Sequence, residues 1–171
     1  MEIKLQRSTL TEWRESYADS LAEQANNPKI AQYLRDVFPS PYTKEDAKAW
    51  IQFNQANTKP ILNFAIVVKG ACIGALGLIP QTDIHRCNIE MGYWIGEAYW
   101  GQGIVSEVVS SMVKYTFEHF DVARIYAGVF DGNIGSQSVL KKASFTFEST
   151  IPKGVIKNGV LLDEHIYSIL R

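Results

Sequence analysis

Three strand patterns follow one another between residues 64 and 95, and a long amphipathic helix comes only after them. The strands are predicted at Phe64–Val68, Cys72–Ile79 and Asn88–Ile95, and a Lys69-Gly70 turn joins the first two. A regular doubly wound fold alternates single strands with helices, so this succession excludes it. The chain is therefore predicted to be mixed α/β (α+β), with hairpins around one strand–loop–helix–strand unit.

The other segments complete the predicted order β-α-α-β-β-β-α-β-α-β-β. Residues 3–7 alternate like a short strand, and Ser8 or Thr9 is expected to cap a helix that runs to about Asn26. Pro28 suits the first turn of a second helix that ends near Arg35. The later elements are a capped helix from Thr43 to about Asn57, a long helix ending at Asp121, a strand at Ala123–Phe130, a helix at Ile134–Lys142, a strand at Phe145–Ile151, and a hairpin at Asn158-Gly159 leading into Leu161–Leu170.

Composition narrows the class of protein. The 171 residues are 46% hydrophobic and 20% charged, which is typical of a globular chain and predicts one domain over residues 1–171. The net charge of −1 shows no basic excess, so no nucleic-acid partner is expected. Apolar runs are too short to span a bilayer, and the N-terminus lacks a signal-peptide core. We therefore expect a cytoplasmic protein in which Cys72 and Cys87 are reduced thiols.

A glycine-rich loop carries the main functional signal. The segment YWGQGIVSE (99–107) places Gly101 and Gly103 between a strand and an amphipathic helix. A helix N-terminus offers unpaired N–H groups and a positive dipole end, and glycines allow a phosphate to approach the backbone. No Gly-Lys-Ser/Thr follows, so the loop suits a pyrophosphate held by backbone alone rather than a P-loop triphosphate. An ordinary tight turn is the alternative.

A second segment, NIGSQSVLKKASF (133–145), follows the next strand. Asn133 can cap the short helix, and Ser136 lies within its first turn. Plain helix capping would explain both residues as well as ligand binding would.

Together these segments resemble the acetyl-coenzyme A loop and the Asn-x-x-Ser element of GNAT-superfamily N-acetyltransferases. The nearest branch includes the ribosomal-protein N-terminal acetyltransferases, and SPYTKEDAKAWI (40–51), FAIVVKGACIGALGL (64–78) and DEHIYSILR (163–171) are also similar to it. The resemblance covers nearly the whole chain. It departs from the family pattern at Trp100, Val105 and Ser144; Val105 is harmless to phosphate binding if its side chain turns into the core.

The resemblance implies a twisted mixed sheet that is splayed between the strands at 88–95 and 123–130, with pantetheine in the opening. Acetyl-CoA would be the cosubstrate. The cofactor-binding residues that it implies are Trp94, Ile95 and Gly96 through their backbone, Gly101, Gln102, Gly103, Ile104 and Val105 through their N–H groups, the Ser106 hydroxyl, and Asn133.

An amine acceptor must lose a proton before it attacks a thioester, since amines have pKa values of roughly 8 to 10. Glu90 is the candidate general base, because it lies on the strand that also supplies thioester-binding backbone, and the family resemblance supports it. A solvated or salt-bridged strand carboxylate is the alternative, and Asp163 and Glu164 are rival bases. Ser136 is the candidate donor to the leaving thiolate, and Tyr167 is a weaker one.

The acceptor is predicted to be a small amine or a protein N-terminus. It is expected to enter from the side shaped by the two N-terminal helices and the Asn158 hairpin, and the N-terminal region is aromatic at Tyr33, Phe38, Tyr42 and Trp50. Core packing of these rings is the alternative. No metal site is expected, because the three histidines lack ligand spacing. A monomer or a homodimer is expected, and a non-catalytic acyl-CoA sensor is the competing function.

Overall fold

The computed structural model describes residues 1–57 and 60–171. Five α-helices and eight strands are assigned within these residues. The helices are α1 (Ala18–Ala25), α2 (Pro28–Ala31), α3 (Lys44–Ala56), α4 (Ile104–His119) and α5 (Ile134–Lys142). The strands are β1 (Glu2–Lys4), β2 (Thr9–Thr11), β3 (Asn63–Val68), β4 (Ala71–Pro80), β5 (Asn88–Ile95), β6 (Arg124–Phe130), β7 (Thr146–Lys157) and β8 (Val160–Leu170).

Hydrogen-bond ladders join the strands in the order β1-β2-β3-β4-β5-β6-β8-β7. The pair β5–β6 is parallel, whereas β6–β8 and β7–β8 are antiparallel, so the predicted mixed sheet is confirmed. The parallel register runs from Asn88 opposite Arg124 to Glu90 opposite Tyr126. Strand β6, in contrast, pairs with β8 along its whole length.

One compact unit comprises Met1–Gly77 and Tyr93–Ile104. Its apolar core is formed by α1 and α3 against β3 and β4. Helix α1 is fastened to β4 by the Ser20 hydroxyl, which accepts a hydrogen bond from the Cys72 amide at 3.0 Å. The fully buried members of this core include Leu21, Ala47, Ile51, Ala65 and Cys72.

The second unit comprises Leu78–Gly92 and Val105–Arg171. Helix α4 buries Val105, Val108, Val109 and Met112, in agreement with the predicted helical spacing. The side chain of Arg171 caps the far end of this helix, because Nη2 donates to the carbonyl oxygens of Phe117 (2.7 Å) and Phe120 (2.6 Å).

The predicted N-terminal helix begins in the wrong place. Residues 5–8 form a tight turn, residues 9–11 form β2, which pairs with Ala65–Val67 of β3, and α1 begins only at Ala18. The Ser8 carbonyl accepts from the Leu5 amide, so Ser8 closes the β1–β2 hairpin instead of capping a helix. A three-residue strand shows too little alternation to be recognised, and one of its two partners, β3, is more than 50 residues away in sequence.

Two further boundaries differ from the prediction. Helix α2 ends at Ala31 and not near Arg35. Strand β7 continues to Lys157, past Ile151, because an irregular register between Ile151 and Val155 absorbs Pro152 and the left-handed Lys153 (φ 53°).

The turn at Asn158-Gly159 and the helix cap at Thr43 were predicted correctly. Asn158 and Gly159 have φ of 50° and 77°, the left-handed values of a type I′ hairpin turn between β7 and β8. Thr43 caps α3 in a capping box, since its hydroxyl accepts from the Asp46 amide at 3.1 Å and Asp46 accepts from the Thr43 amide at 2.8 Å.

Thr43→Ala is therefore expected to destabilise the chain by about 1 kcal/mol, the usual cost of losing an N-cap. Urea unfolding at pH 7 measures this loss, and Thr43→Ser should restore the stability. The hydrogen bonds from Thr43 lower the pKa of Asp46. The stabilisation from the Asp46 carboxylate is therefore present above the pKa that Asp46 has in the unfolded chain. It is lost as the pH falls through the lower pKa that Asp46 has in the folded chain. A Thr43→Ala midpoint equal to wild type would contradict this role.

Candidate functional site

The residues predicted to form the site are divided between the two compact units. Residues Trp94, Ile95, Gly96, Gly101, Gln102, Gly103 and Ile104 belong to the first unit. Residues Glu90, Val105, Ser106, Asn133 and Ser136 belong to the second.

At the end of β5, the backbone N–H and C=O groups point alternately toward β4 and away from it. The Gly96 amide donates to the Ile73 carbonyl oxygen of β4 at 2.7 Å. The Trp94 carbonyl oxygen also faces β4, since a Cβ on Gly74 would lie only 2.3 Å from it. Backbone groups alternate in direction along a strand, so those of Tyr93 and Ile95 point away from β4. Of the three residues predicted to pair with pantetheine, Ile95 is the one whose backbone faces outward.

Trp100 contacts this outward edge. Its indole Nε1 donates to the Ile95 carbonyl oxygen at 2.9 Å, and nearly half of the Trp100 surface is exposed. The carbonyl keeps a second lone pair, and the Ile95 amide remains the outward donor. Trp100 therefore links the start of the loop to the end of β5 by a hydrogen bond.

The loop from Gly101 to Gly103 is exposed and has a left-handed backbone at both glycines, with φ of 73° and 77°. A Cβ added to either glycine would have no heavy atom within 4 Å among the described residues. The glycines are therefore needed for conformation, and the space above them is open to a ligand. Helix α4 begins at the next residue, and its first N–H groups have no partners within the helix. An anion of the size of a pyrophosphate suits this arrangement.

The side chains within and just after the loop are compatible with a ligand above the glycines. Val105 is only 9% exposed, so its side chain points into the core and away from the loop surface, as expected. Ser106 is half-buried in the first turn of α4. Gln102 steadies the loop by donating from Nε2 to the Ala98 carbonyl oxygen at 2.8 Å.

Asn133 performs the capping role that was the alternative interpretation. Its Oδ1 accepts from the Ser136 amide at 3.1 Å at the start of α5. This bond uses the oxygen, whereas the Nδ2 group of the same side chain carries the donors. Capping therefore orients Asn133 and is compatible with donation to a ligand.

The candidate base lies on a polar face of the second unit. Glu90 is opposite Tyr126 in the β5–β6 ladder, and Tyr126 is opposite Ser168 in the β6–β8 ladder, so the three side chains share one face. Glu90 is half-buried. Glu164 reaches the same face and covers Gly128 so closely that a Cβ there would lie 2.2 Å from Oε1. Glu90 and Glu164 thus lie on either side of β6 on this face, which also carries Glu148, whose carboxylate is paired with Arg124 of β6.

The other candidates lie on the opposite face of β8. Asp163 accepts a hydrogen bond from the Lys153 amide at 2.8 Å. Tyr167 is buried, and its hydroxyl donates to Gln137 of α5 at 3.2 Å. Alternation along β8 separates both residues from the face that carries Glu90, so of the two rival bases only Glu164 shares that face.

Tyr42 lies in the core of the first unit, and Phe38 and Trp50 are partly buried against that core. Phe38 lies 5.0 Å from Tyr42 and 5.6 Å from Trp94, measured between ring centroids. Burial raises the pKa of Tyr42. These rings connect the N-terminal helices to the end of β5.

Residues 7–146 match the family model described as Acetyltransferase (GNAT) domain. The chain belongs to this family. GNAT acetyltransferases use acetyl-CoA, so the predicted cosubstrate is that of the family. No group of histidine, cysteine and acidic residues in the described ranges could hold a metal ion, and no helix there is long and apolar enough to cross a membrane.

Several acetyltransferases are similar in sequence to this GNAT chain. Uncharacterized N-acetyltransferase p20 of Bacillus licheniformis is 29% identical over 97% of this chain and 94% of its own length. Uncharacterized N-acetyltransferase YoaA of Bacillus subtilis is 35% identical over 58% of the chain, and the chain spans only 55% of YoaA. The ribosomal-protein-serine acetyltransferase of Escherichia coli is 24% identical over 54% of the chain and 53% of that enzyme.

The fold of this GNAT chain is also found in solved structures. RimL, a ribosomal L7/L12 alpha-N-protein acetyltransferase in complex with coenzyme A, superposes with a TM-score of 0.83 at 20% identity, covering 99% of this chain and 98% of that one.

Three residues of this GNAT chain near the glycine loop were missed by sequence analysis. Asn27 and Lys29 both contact Glu97, and Gln24 lies against Gly96. Each contact joins residues about 70 positions apart, and no local pattern indicates it. The one available signal was the Asn-Pro cap at residues 27–28, which marks Asn27 as oriented.

Proposed function

We propose that residues 1–171 form one N-acetyltransferase domain that moves the acetyl group of acetyl-CoA to a primary amine by direct attack, without an acyl-enzyme. The observation that supports this proposal is the exposed loop just before α4, in which Gly101 and Gly103 both have a left-handed backbone conformation.

The chain offers a donor for each part of the cosubstrate. The pyrophosphate would accept from the N–H groups of residues 101–105, with the Ser106 hydroxyl beside them. The outward amide of Ile95 and the Nδ2 group of Asn133 would bind the pantetheine arm. Backbone donors explain how a chain with a net charge of −1 holds a strongly anionic ligand.

Acetyl-CoA supplies an activated thioester, and the side chains of this protein manage the protons. Glu90 takes the proton from the acceptor ammonium, directly or through one water molecule, so that the amine can attack. Ser136 donates to the departing sulfur. This donation contributes little, because a thiol has a pKa of about 8.5 and its thiolate leaves readily.

The cysteines support direct attack. Burial raises the pKa of the Cys72 thiol to about 12, which suppresses the thiolate that an acyl carrier would need. Cys87 is exposed, and its sulfur is in contact with Asn88 Nδ2 at 3.3 Å. An amide group of this kind does not act as the base that activates a nucleophilic cysteine.

The acceptor is a small amine or a protein N-terminus, and the E. coli relative named for a ribosomal protein favours testing N-terminal peptides first. Thiol release from acetyl-CoA should be followed with peptides, polyamines, amino acids and aminoglycosides as acceptors. We expect release that depends on the acceptor, together with an acetylated product of 42 Da higher mass, about the mass of an acetyl group less one hydrogen. CoA binding without turnover on any acceptor would contradict an enzyme and favour an acyl-CoA sensor.

Gly103→Ala is expected to weaken CoA binding about tenfold, since an alanine in the left-handed region costs about 1–2 kcal/mol and its methyl group enters the open space above the loop. Isothermal titration with CoA measures the change. Gly159→Ala is the matched control, because Gly159 has the same φ of 77° and equally open surroundings at a hairpin tip. Equal CoA affinities for the two variants would contradict the phosphate role of Gly103.

A further inference from the structure

Glu97 connects the glycine loop to helix α2. It is the first residue of the 3-10 turn Glu97–Tyr99, which leads from β5 into the loop. Its carboxylate accepts from Asn27 Nδ2 at 2.8 Å and from Lys29 Nζ at 2.5 Å. These two donors lower the pKa of Glu97, so the carboxylate is charged at neutral pH and holds both.

Asn27 uses both ends of its side chain in this connection. Its Oδ1 accepts from the Lys29 amide at 2.9 Å and thereby caps α2, while Nδ2 holds Glu97. Pro28 occupies the first position of α2 and restricts the backbone there. The Asn27 donor to Glu97 is therefore fixed in direction before any ligand binds.

A second contact supports the same turn. Gln24 of α1 packs over Gly96, where an added Cβ would lie 2.0 Å from Gln24 Oε1. Beyond the turn, Trp100 and Gln102 hold the loop by bonds to the carbonyl oxygens of Ile95 and Ala98. The path from α2 to Gln102, the residue before Gly103, is thus a series of hydrogen-bonded residues.

We propose that Glu97 is a positioning residue that holds the glycine loop in its ligand-ready conformation from the first turn of α2, so that cosubstrate affinity depends on α2. This inference rests on the proposed function, because it assumes that the loop binds CoA. Exposed ion pairs add little to folding stability. Holding a loop in advance, however, reduces the ordering cost at the moment of binding. The effect is therefore expected in affinity and not in folding.

Four single variants and one double variant test this role by isothermal titration with CoA and by steady-state kinetics. Glu97→Ala should raise the Kd for CoA and the KM for acetyl-CoA about three- to tenfold, the scale of one or two hydrogen bonds, with kcat at saturation unchanged. Glu97→Gln keeps an acceptor for Asn27 and should have a smaller effect. Lys29→Met should match Glu97→Gln, and combining the two should add nothing further. Asp19→Asn is the control, since it breaks the Asp19–Lys44 pair of the same 2.5 Å length between α1 and α3.

A Glu97→Ala protein with wild-type Kd, or one that loses only thermal stability to the same extent as Asp19→Asn, would overturn the positioning role while leaving the proposed function intact. Additive effects of Glu97→Gln and Lys29→Met would overturn the shared network. A wild-type protein that binds no CoA would overturn the proposed function and this inference together.

Discussion

The Glu90→Gln enzyme is expected to bind CoA as wild type does and to lose kcat by about 10²- to 10⁴-fold, the usual contribution of a general base. Gln has nearly the shape of Glu and keeps a hydrogen-bond acceptor, but it cannot take a proton from an ammonium group. The position of Glu90 beside Tyr126, on the polar face of the second unit, should be unchanged. Single-turnover and steady-state assays at pH 7, with CoA affinity measured in parallel, separate chemistry from binding.

The pH dependence gives an independent check. As the pH approaches the acceptor pKa of roughly 8 to 10, the amine loses its proton without a catalyst. The deficit of Glu90→Gln should therefore shrink between pH 7 and pH 9.5. A deficit that stays constant over this range would show that Glu90 acts otherwise than as a base.

Glu164→Gln is the comparison that assigns the base, because Glu164 is the rival base on this face, over Gly128, whereas Glu148 on the same face is paired with Arg124. We expect a smaller loss in kcat than with Glu90→Gln. If Glu164→Gln loses the larger part of kcat and Glu90→Gln keeps full turnover, the base is Glu164.

Elements with strong local chemistry were predictable from the sequence. The bounds of Asn88–Ile95 and Ile134–Lys142 agree with the structure, because alternation marks the first and the Asn133 cap marks the second. The failures at residues 8–17 have a common cause. Ser8 and Thr9 have the chemistry of a helix cap, but β3 supplies a long-range strand partner that overrides it.

The backbone conformations at the candidate site were predictable to a similar degree. Gly101, Gly103 and Asn133 act through their own backbone and neighbours, so their conformations could be anticipated. The directions of Trp94 and Gly96 depend on β4, and the support for Glu97 depends on α2, so neither follows from a local pattern. Which β5 groups face outward is decided by strand register, which a single sequence leaves open.

Gly74→Ala is expected to be the most damaging single-methyl substitution in the first unit. An alanine Cβ at this position would lie 2.3 Å from the Trp94 carbonyl oxygen and 2.9 Å from the Ile95 Cα. Both are backbone atoms of β5, so no side chain can rotate to relieve the clash, and overpacking of this kind costs about 1–3 kcal/mol or more. Thermal unfolding should show a lower Tm by roughly 4–10 °C for a chain of this size.

Gly92→Ala separates this clash from the general effect of losing a glycine. Gly92 lies in β5, and a Cβ there would meet no heavy atom within 4 Å in the described ranges, so its Tm should be unchanged or slightly higher. Because a Cβ added at position 74 would push on the residues that present the Ile95 amide, Gly74→Ala should also weaken CoA binding at temperatures where it remains folded, whereas Gly92→Ala should not. A Gly74→Ala protein with wild-type Tm would mean that β4 and β5 separate at little cost. A normal CoA affinity in a destabilised Gly74→Ala protein would instead remove Ile95 from the pantetheine contacts and leave the glycine loop as the main determinant of binding.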